Sequence, residues 1–296
     1  MRILIPVDGS EGCRRAIRFL AHRAAGFGTR PEVEFVNVQN SVPESLISML
    51  GLEAVKQYYL DTGKTVFDKL DCDEEKKALN AAERVLYAGD IDRALAEEAE
   101  SFRADLIILS SRGLDPMRGL LLGSVSNGLL ASTHVPMLIL RGEPKLIDGK
   151  MRIGICVDGS DYGEAAANFA LSQIEFFGPE CEFTLIHCAV PGPRPIAHPM
   201  MPVITPEELI EARKEKFEAE MNKLAEPLEI AGRTVKRAFL VGDPDVELPR
   251  FAEENLDLVI MGSHGRGNFT AAVLGSTAMH VAAASSVPLL VIRKPE

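Results

Sequence analysis

The sequence lacks long apolar runs, an excess of positive charge and paired cysteines, and each absence argues against a class of protein. No apolar stretch approaches the roughly 18 residues of a membrane-spanning helix. The formal net charge is −11, so nucleic acid or an anionic membrane is an unfavourable partner. The five cysteines are odd in number and show no Cys-x-x-Cys spacing, which favours reduced thiols over disulfides or structural zinc. The apolar start is short and ends in Pro-Val-Asp-Gly, so we expect no signal peptide and a cytoplasmic protein.

The most informative feature present is Gly262-Ser-His-Gly265, followed after nine residues by Gly275-Ser276. Glycines let a backbone approach an anion without a Cβ atom in the way. A helix that opens at Gly275 would direct free N–H groups at that anion. The preceding apolar run, residues 256–261, is typical of a strand. A strand, a glycine loop and a helix together predict a phosphate site at the edge of an α/β sheet.

These landmarks occur twice in the chain. The motif region has a second version 152 residues upstream, at residues 104–124, and Val135-Pro136 matches Val287-Pro288 at the same offset. A period this long exceeds that of solenoid repeats and indicates a duplicated domain. We therefore predict a first domain at 1–143, a linker at 144–150 and a second domain at 151–296.

Each copy alternates short apolar strands with helical segments. Five strands with crossover helices predict an α/β fold, in which each domain is a doubly wound five-stranded parallel sheet flanked by helices. Capping boxes at Ser41-x-x-Glu44 and Thr205-x-x-Glu208 predict two helix starts. Asp243-Pro244 predicts a third.

In such a sheet the ligand crevice opens where strands one and four end, because the strand order reverses there. Asp158 follows strand one of the second copy, and Met261 ends strand four. Asp158 is placed to accept hydrogen bonds from ribose hydroxyls or to hold a magnesium ion. The alternative is that Asp158 and Ser160 only cap the first helix.

The combination of Gly-x-x-Gly, nine residues and Gly-Ser with Val-Asp-Gly-Ser and Val-Pro-x-Leu-x-Ile resembles the universal stress protein family in its tandem form. The resemblance implies a fold like that of the adenine-nucleotide alpha hydrolases. It also implies binding of ATP or a related adenine nucleotide, with magnesium as an accompanying ion. The positions that it implies as ligand contacts in the second copy are Val157, Asp158, Cys188, Met261, Gly262, Gly265, Gly275 and Ser276.

The first copy departs from this pattern in its glycine loop. Ser110 replaces the first glycine, Arg112 replaces His264, and Pro116 replaces Asn268. The family positions that remain are Asp8, Val38, Gly113, Gly123 and Ser124. The sequence leaves open whether the first copy binds nucleotide or only completes a pseudo-dimer.

Three functions are compatible with these residues. The first is a nucleotide-binding stress-response or signalling module. The second is a slow ATPase, for which we assign no catalytic residue, because neither glycine loop holds a lysine and His264 has no evident second base. We expect His187 to be a core residue. The third is a nucleotide-free scaffold whose last strands, residues 137–140 and 289–292, pair the two domains and leave room for a homodimer.

Overall fold

The computed structural model describes residues 1–110, 123–190, 205–264 and 274–293. The strands of the first half are β1 Arg2–Pro6, β2 Glu32–Asn40, β3 Ala82–Ala88, β4 Leu106–Ser110 and β5 Met137–Leu140. Its helices are α1 Glu11–Ala24, α2 Glu44–Leu50, α3 Leu52–Asp68, α4 Asp73–Leu79, α5 Ile91–Ser101 and α6 Ser124–Ser132. The strands of the second half are β6 Arg152–Cys156, β7 Glu182–Ala189, β8 Thr234–Val241, β9 Leu258–Gly262 and β10 Leu289–Ile292. Its helices are α7 Asp161–Ser172, α8 Pro206–Ile230, α9 Pro244–Asn255 and α10 Ser276–Ala284.

The ten strands form one sheet in the order β3-β2-β1-β4-β5-β10-β9-β6-β7-β8. Within each half the strands are parallel, and the strand order reverses between the first strand and the fourth. The prediction of two doubly wound five-stranded domains is therefore confirmed. Because ligands bind at such a reversal, each half has one crevice, at the carboxyl ends of β1 and β4 or of β6 and β9.

The two halves meet along β5 and β10, which pair antiparallel with Leu138 opposite Leu290. Two arginines beyond these strands extend the contact reciprocally. Arg141 donates to the carbonyl of Ala282 near the end of α10, and Arg293 donates to the carbonyl of Thr133 after α6 at 2.9 Å. A cation at a helix C-terminus satisfies free carbonyls and favours the negative end of the helix dipole. Each domain thus supplies an arginine to the C-terminal end of a helix in the other domain.

Apolar side chains cover both faces of the sheet. Ile3 and Ile5 belong to one buried cluster, and Leu4 between them belongs to the other. Both clusters contain residues of both halves. Burial on both faces is the reason that the central strands β4, β5, β9 and β10 are nearly continuous apolar runs in the sequence rather than alternating ones. Across the described segments, no helix is both long and apolar enough to cross a membrane.

Two of the three predicted helix starts are confirmed. Thr205 and Glu208 form a reciprocal capping box at the start of α8, and the Asp243 carboxylate accepts the N–H of Asp245 at the start of α9. The prediction at Ser41 is wrong, because α2 begins only at Glu44, after Pro43. A residue before proline is held in extended backbone, so Val42 cannot form the first helical turn. Ser41 instead continues the β2–β3 ladder and donates its N–H to the carbonyl of Ala88 at 3.0 Å.

Candidate functional site

The ends of β6 and β9 meet at a cavity of about 340 Å³, here called the second-domain cavity. The structure brings seven of the predicted contact positions together on its wall, although they come from four separate stretches of the chain. They are Val157, Asp158, Cys188, Met261, Gly262, Gly275 and Ser276. Gly265 lies outside the described residues.

Asp158 leaves the sheet just beyond β6 and lines this cavity. Its Oδ1 atom accepts hydrogen bonds from the backbone N–H of Ser160, at 3.0 Å, and from the Ser160 hydroxyl. Ser160 stands at the N-cap of α7 without a side-chain capping bond. In the first domain Ser10 does cap, because its hydroxyl accepts the N–H of Cys13. The capping alternative therefore describes Ser10 rather than Ser160, whose hydroxyl orients Asp158.

A second difference between the domains concerns the residue next to the site aspartate, which is Asp8 in the first domain and Asp158 in the second. Asp8 Oδ1 accepts a hydrogen bond from the Cys13 thiol at 3.0 Å. Burial raises the pKa of that thiol to about 11, so the thiol stays protonated at neutral pH. The corresponding second-domain residue is Gly163, where a Cβ atom would lie 3.3 Å from the Cα of Val157. Gly163 also lines the cavity. Sequence reasoning missed this residue, and comparison with Cys13 in the other copy is the signal that would have found it.

Helix α10 begins at the cavity wall with Gly275 as its N-cap and no side-chain cap. Gly275 donates its own N–H to the carbonyl of Ser263 at 2.7 Å, so that donor is already used. Its φ of −58° is open to any residue. Glycine matters here for space, because an added Cβ would lie 3.2 Å from the Ser263 oxygen. The first-turn N–H groups that follow, with the positive end of the helix dipole, favour an anion in the cavity.

The presence of glycine at position 262 has a steric explanation that the glycine motif did not reveal. A Cβ atom at Gly262 would lie 2.4 Å from the Cβ of Tyr162 on α7. In the first domain the glycine is on the helix instead of the strand: Gly12 on α1 faces Ser110 at the end of β4. A Cβ at Gly12 would lie 3.2 Å from the Ser110 Cβ. Ser110 is therefore compatible with the first domain because Gly12 leaves room for it.

An aromatic pair lies beside the second-domain cavity, and one of its members, His264, lines the wall. The rings of Tyr162 and His264 lie 5.5 Å apart between centroids, and the Ser263 hydroxyl lies 3.0 Å from His264 Nδ1. His264 and Ser263 both line the cavity. These two contacts hold the His264 ring at the wall, and His264 makes a further interaction besides them.

Two cysteines, Cys156 and Cys188, form part of the cavity wall. Burial raises the pKa of the Cys156 thiol to about 12 and that of the Cys188 thiol to about 11. Asp243 and Glu247 raise the pKa of Cys188 further. A thiol that stays protonated is a weak nucleophile and a small apolar group. These two side chains therefore give the cavity an apolar surface rather than a reactive one.

His187 is a core residue, as predicted, and it also positions the site. Its Nδ1 lies 2.8 Å from the carbonyl oxygen of Val157, and its ring stacks on that of Phe217. Since a carbonyl only accepts, Nδ1 carries the proton. In the first domain Asn37 makes the equivalent bond, from Nδ2 to the carbonyl of Val7, at 2.7 Å. Both domains thus satisfy the carbonyl that directly precedes the site aspartate.

We expect Asn37→Asp to destabilise the first domain by about 1–3 kcal/mol at neutral pH. The substitution keeps the side-chain shape and replaces the buried donor to Val7 with an acceptor. Asn40→Asp, at the exposed end of the same strand, is the control and should have little effect. Urea unfolding monitored by circular dichroism measures both, and equal midpoints for the two variants would contradict the role given to Asn37.

The first domain has a cavity of about 580 Å³ in the equivalent place, here called the first-domain cavity. Four of the predicted positions line it, namely Asp8, Val38, Gly123 and Ser124. Gly113, Arg112 and Pro116 lie outside the described residues. Arg15 of α1 also lines the cavity. Sequence reasoning missed it because Arg15 belongs to the helix rather than to a recognised motif.

Carboxylates are few around the second-domain cavity. In the described part of the chain, no group of three or more histidine, cysteine or acidic side chains could hold a metal ion. Asp158 is the acidic residue on the described wall. One carboxylate fits the way magnesium is held beside a nucleotide, since phosphate oxygens and waters supply the remaining ligands.

Comparison with known proteins identifies the family of this chain. A model of the universal stress protein family matches the chain twice, over residues 1–141 and 150–293. A universal stress protein of Mycolicibacterium smegmatis is 25% identical over 98% of this chain and 96% of its own length. One of Mycobacterium tuberculosis is 27% identical over 99% of this chain and 95% of its own.

The fold is also shared with a solved structure. The crystal structure of a universal stress protein from Archaeoglobus fulgidus matches with a TM-score of 0.70 at 22% identity, covering 99% of this chain and 98% of that one. At that identity the likeness concerns the fold alone. Because the family model covers both halves of the chain, the protein belongs to the universal stress protein family.

Proposed function

We propose that this chain is an adenine-nucleotide-binding module of the stress response, and that it binds ATP in the second-domain cavity. One observation carries the proposal: the end of β6, the end of β9 and the start of α10 converge on a single cavity at the reversal of strand order. A volume of about 340 Å³ lies within the range of small-molecule sites. The wall combines apolar side chains with a few polar groups, as such sites do.

Each part of the nucleotide has a proposed contact. The adenine would lie against Val157, with the backbone near Cys188 reading its edge. The ribose hydroxyls would donate to Asp158. The phosphates would lie at the first turn of α10, beside Gly262 and Ser276, where N–H groups and the helix dipole favour negative charge.

Magnesium is the proposed accompanying ion. As the alternative to the ribose contact, Asp158 would hold this ion through the carboxylate oxygen that Ser160 does not use. The ion would offset part of the phosphate charge, which matters in a chain with a net charge of −11.

Nucleotide binding would act through conformation or partner choice, because a ligand shifts an equilibrium only by its different affinities for two states. We infer a binding module rather than an efficient ATPase, since the described wall presents no lysine and no acid–base pair beside the proposed phosphate position. Turnover on the order of the 1–100 s⁻¹ typical of kinases would contradict this inference. Pairing through β5 and β10 would make the two domains one functional unit, and two chains would form a homodimer.

Native mass spectrometry of the freshly purified protein tests the proposal directly. We expect each chain to carry at least one adenine nucleotide, or to gain one when ATP and magnesium are added. The same spectrum reports the oligomeric state. A chain without bound mass, which gains none on addition of ATP and magnesium, would contradict the proposal and favour the nucleotide-free scaffold.

A further inference from the structure

The second domain has another cavity, of about 400 Å³, between helices α7 and α8. Its wall shares only Val157 with the second-domain cavity. Ala167 and Phe217 on this wall belong to one buried cluster, whereas Leu248 and Met261 of the second-domain cavity belong to the other, so the two cavities lie on opposite faces of the sheet. We call this cavity the α7–α8 groove, and its apolar wall consists of Ala167, Leu171, Phe217, Met221, Leu224 and Leu228. Its volume is in the range of small-molecule sites.

Acidic side chains outnumber basic ones around the α7–α8 groove. Asp161, Glu164 and Glu220 contribute carboxylates, and among the described lining residues Lys223 contributes the one ammonium group. Asp161 and Glu164 belong to the first turn of α7, where they offset the positive end of the helix dipole. The charges of the wall therefore favour a cation over an anion.

Glu220 is the carboxylate of this wall that the fold leaves without a donor. Its Oε2 atom is buried and accepts no hydrogen bond within the described chain. The exposed Lys223, one turn further along α8, forms no ion pair with it there. The other buried side-chain atoms without a partner belong to residues outside this groove. A buried carboxylate oxygen without a donor is unfavourable, and a ligand that donates a hydrogen bond would satisfy it.

The first domain supplies its own cations at the equivalent place. There, α3 and α4 lie between the second and third strands, where the second domain has α8. Arg14 of α1 donates to the carbonyl of Lys69 after α3 at 3.1 Å, and Arg18 lies 3.9 Å from the carboxylate of Glu75 on α4. Two guanidinium groups therefore join α1 to the segment that packs beside it.

Helix α7 lacks these bridging side chains. The alignment that pairs the two site aspartates places a carboxylate, an amide and a methyl group where α1 has two guanidinium groups and a buried isoleucine. The residues are Glu164, Asn168 and Ala167, in place of Arg14, Arg18 and Ile17. All three line the α7–α8 groove. The second domain thus has open space, and negative charge, where the first domain has its own cations and apolar side chain.

A proline in α8 adds a backbone acceptor to the same wall. Pro227 lies inside the helix and has no N–H, so the carbonyl of Lys223 cannot receive the usual helical hydrogen bond from that position. Both residues line the groove. A guanidinium group, which has five N–H donors, suits a wall with a carboxylate and a carbonyl to satisfy.

We propose that the α7–α8 groove binds a small amphipathic cation, in which an apolar body carries a guanidinium group. The charged group donates to Glu220 and Glu164, and the apolar body lies against Phe217 and Met221. The ligand thereby supplies what the side chains of α1 supply inside the first domain. This site is separate from the proposed nucleotide site, and the inference does not depend on the proposed function.

Isothermal titration calorimetry of the full chain tests this inference with three probes of one chain length. They are n-octylguanidinium, uncharged 1-octanol and anionic octanoate. We expect one octylguanidinium per chain, bound at least about tenfold more tightly than 1-octanol, and no measurable binding of octanoate.

Glu220→Gln keeps the side-chain shape and removes the charge. We expect it to weaken octylguanidinium binding about ten- to hundredfold and to leave 1-octanol binding unchanged. Its melting temperature should be no lower than that of the unmodified protein, because the substitution removes a buried carboxylate without a donor. Glu218→Gln is the matched control, since Glu218 is exposed on the same helix and lies outside the groove. It should bind octylguanidinium as the unmodified protein does.

Asn168→Arg provides an independent test, because it gives α7 the guanidinium that Arg18 gives α1. The new side chain should occupy the groove and abolish octylguanidinium binding. An unchanged affinity in this variant would overturn the inference.

Three further results would also overturn it: equal binding of octylguanidinium and 1-octanol, no binding of octylguanidinium at a single site, and equal effects of Glu220→Gln and Glu218→Gln. Gly275→Val separates this site from the nucleotide site and should leave octylguanidinium binding unchanged. Loss of that binding in Gly275→Val would place the probe in the second-domain cavity and contradict the role of the α7–α8 groove.

Discussion

Gly275→Val is expected to weaken ATP binding at the second-domain cavity by at least about a hundredfold. A Cβ atom at this position already lies 3.2 Å from the Ser263 carbonyl oxygen and 3.6 Å from the His264 Cα. The added methyl groups would displace the start of α10 from this turn, and its first N–H groups would lose their alignment with the phosphates. Hydrogen bonds to a charged group are each worth about 1.5–3 kcal/mol. Losing two of them gives a decrease of this size.

Isothermal titration calorimetry with ATP and magnesium measures the effect, with Gly26→Val as the control. Gly26 follows α1, and the nearest atom to an added Cβ is a backbone oxygen at 3.6 Å. The control should bind ATP as the unmodified protein does. An unchanged affinity in a folded Gly275→Val protein would show that nucleotide does not bind at the start of α10. Circular dichroism of both variants identifies any loss of fold.

Gly262→Ser is expected to destabilise the second domain by about 3 kcal/mol, towards the upper end of the range for overpacked sites. The new Cβ would lie 2.4 Å from the Tyr162 Cβ and 3.1 Å from its backbone. The helix α7 would have to move away from β9. In a domain of this size such a loss lowers the melting temperature by about 5–10 °C.

The first domain supplies the compensating change. Combining Tyr162→Gly with Gly262→Ser reproduces the pairing of Gly12 with Ser110, so the double variant should recover most of the stability that Gly262→Ser loses. The expected coupling is about 2 kcal/mol, since the two residues are in direct contact. Tyr162→Gly alone should cost about 1 kcal/mol because glycine is unfavourable in a helix.

Differential scanning calorimetry on the three variants and on Gly26→Ser provides the cycle. Additive losses, with no recovery in the double variant, would show that Tyr162 is not the reason for glycine at position 262. In that case the glycine would be required by the ligand or by the loop that follows it.

Local patterns in the sequence were sufficient for much of this architecture. Apolar runs predicted β5 and β10 with their observed bounds, Met137–Leu140 and Leu289–Ile292. Thr205 and Asp243 predicted the starts of α8 and α9, because a cap depends on residues within one turn of it. The error at Ser41 is equally local, since Pro43 excludes the first helical turn that the capping pattern requires.

The convergence of the site followed from topology rather than from proximity in the sequence. Alternating strands and helices predict a doubly wound sheet, and in that sheet the ends of strands one and four are neighbours. Asp158 and Met261 could therefore be assigned to one crevice although about a hundred residues separate them.

The sequence by itself determined the duplication, the strand order at the reversal and the backbone positions that meet there. Only the tertiary structure showed that Gly262 faces Tyr162 and that Arg15 lines the first-domain cavity. It also showed that Asn37 and His187 each make a hydrogen bond to the carbonyl that precedes the site aspartate. The physical reason is that backbone conformation and sheet topology follow from local periodicity. Contacts between side chains on different elements depend instead on how a helix packs against a strand, and short-range sequence patterns do not encode that packing.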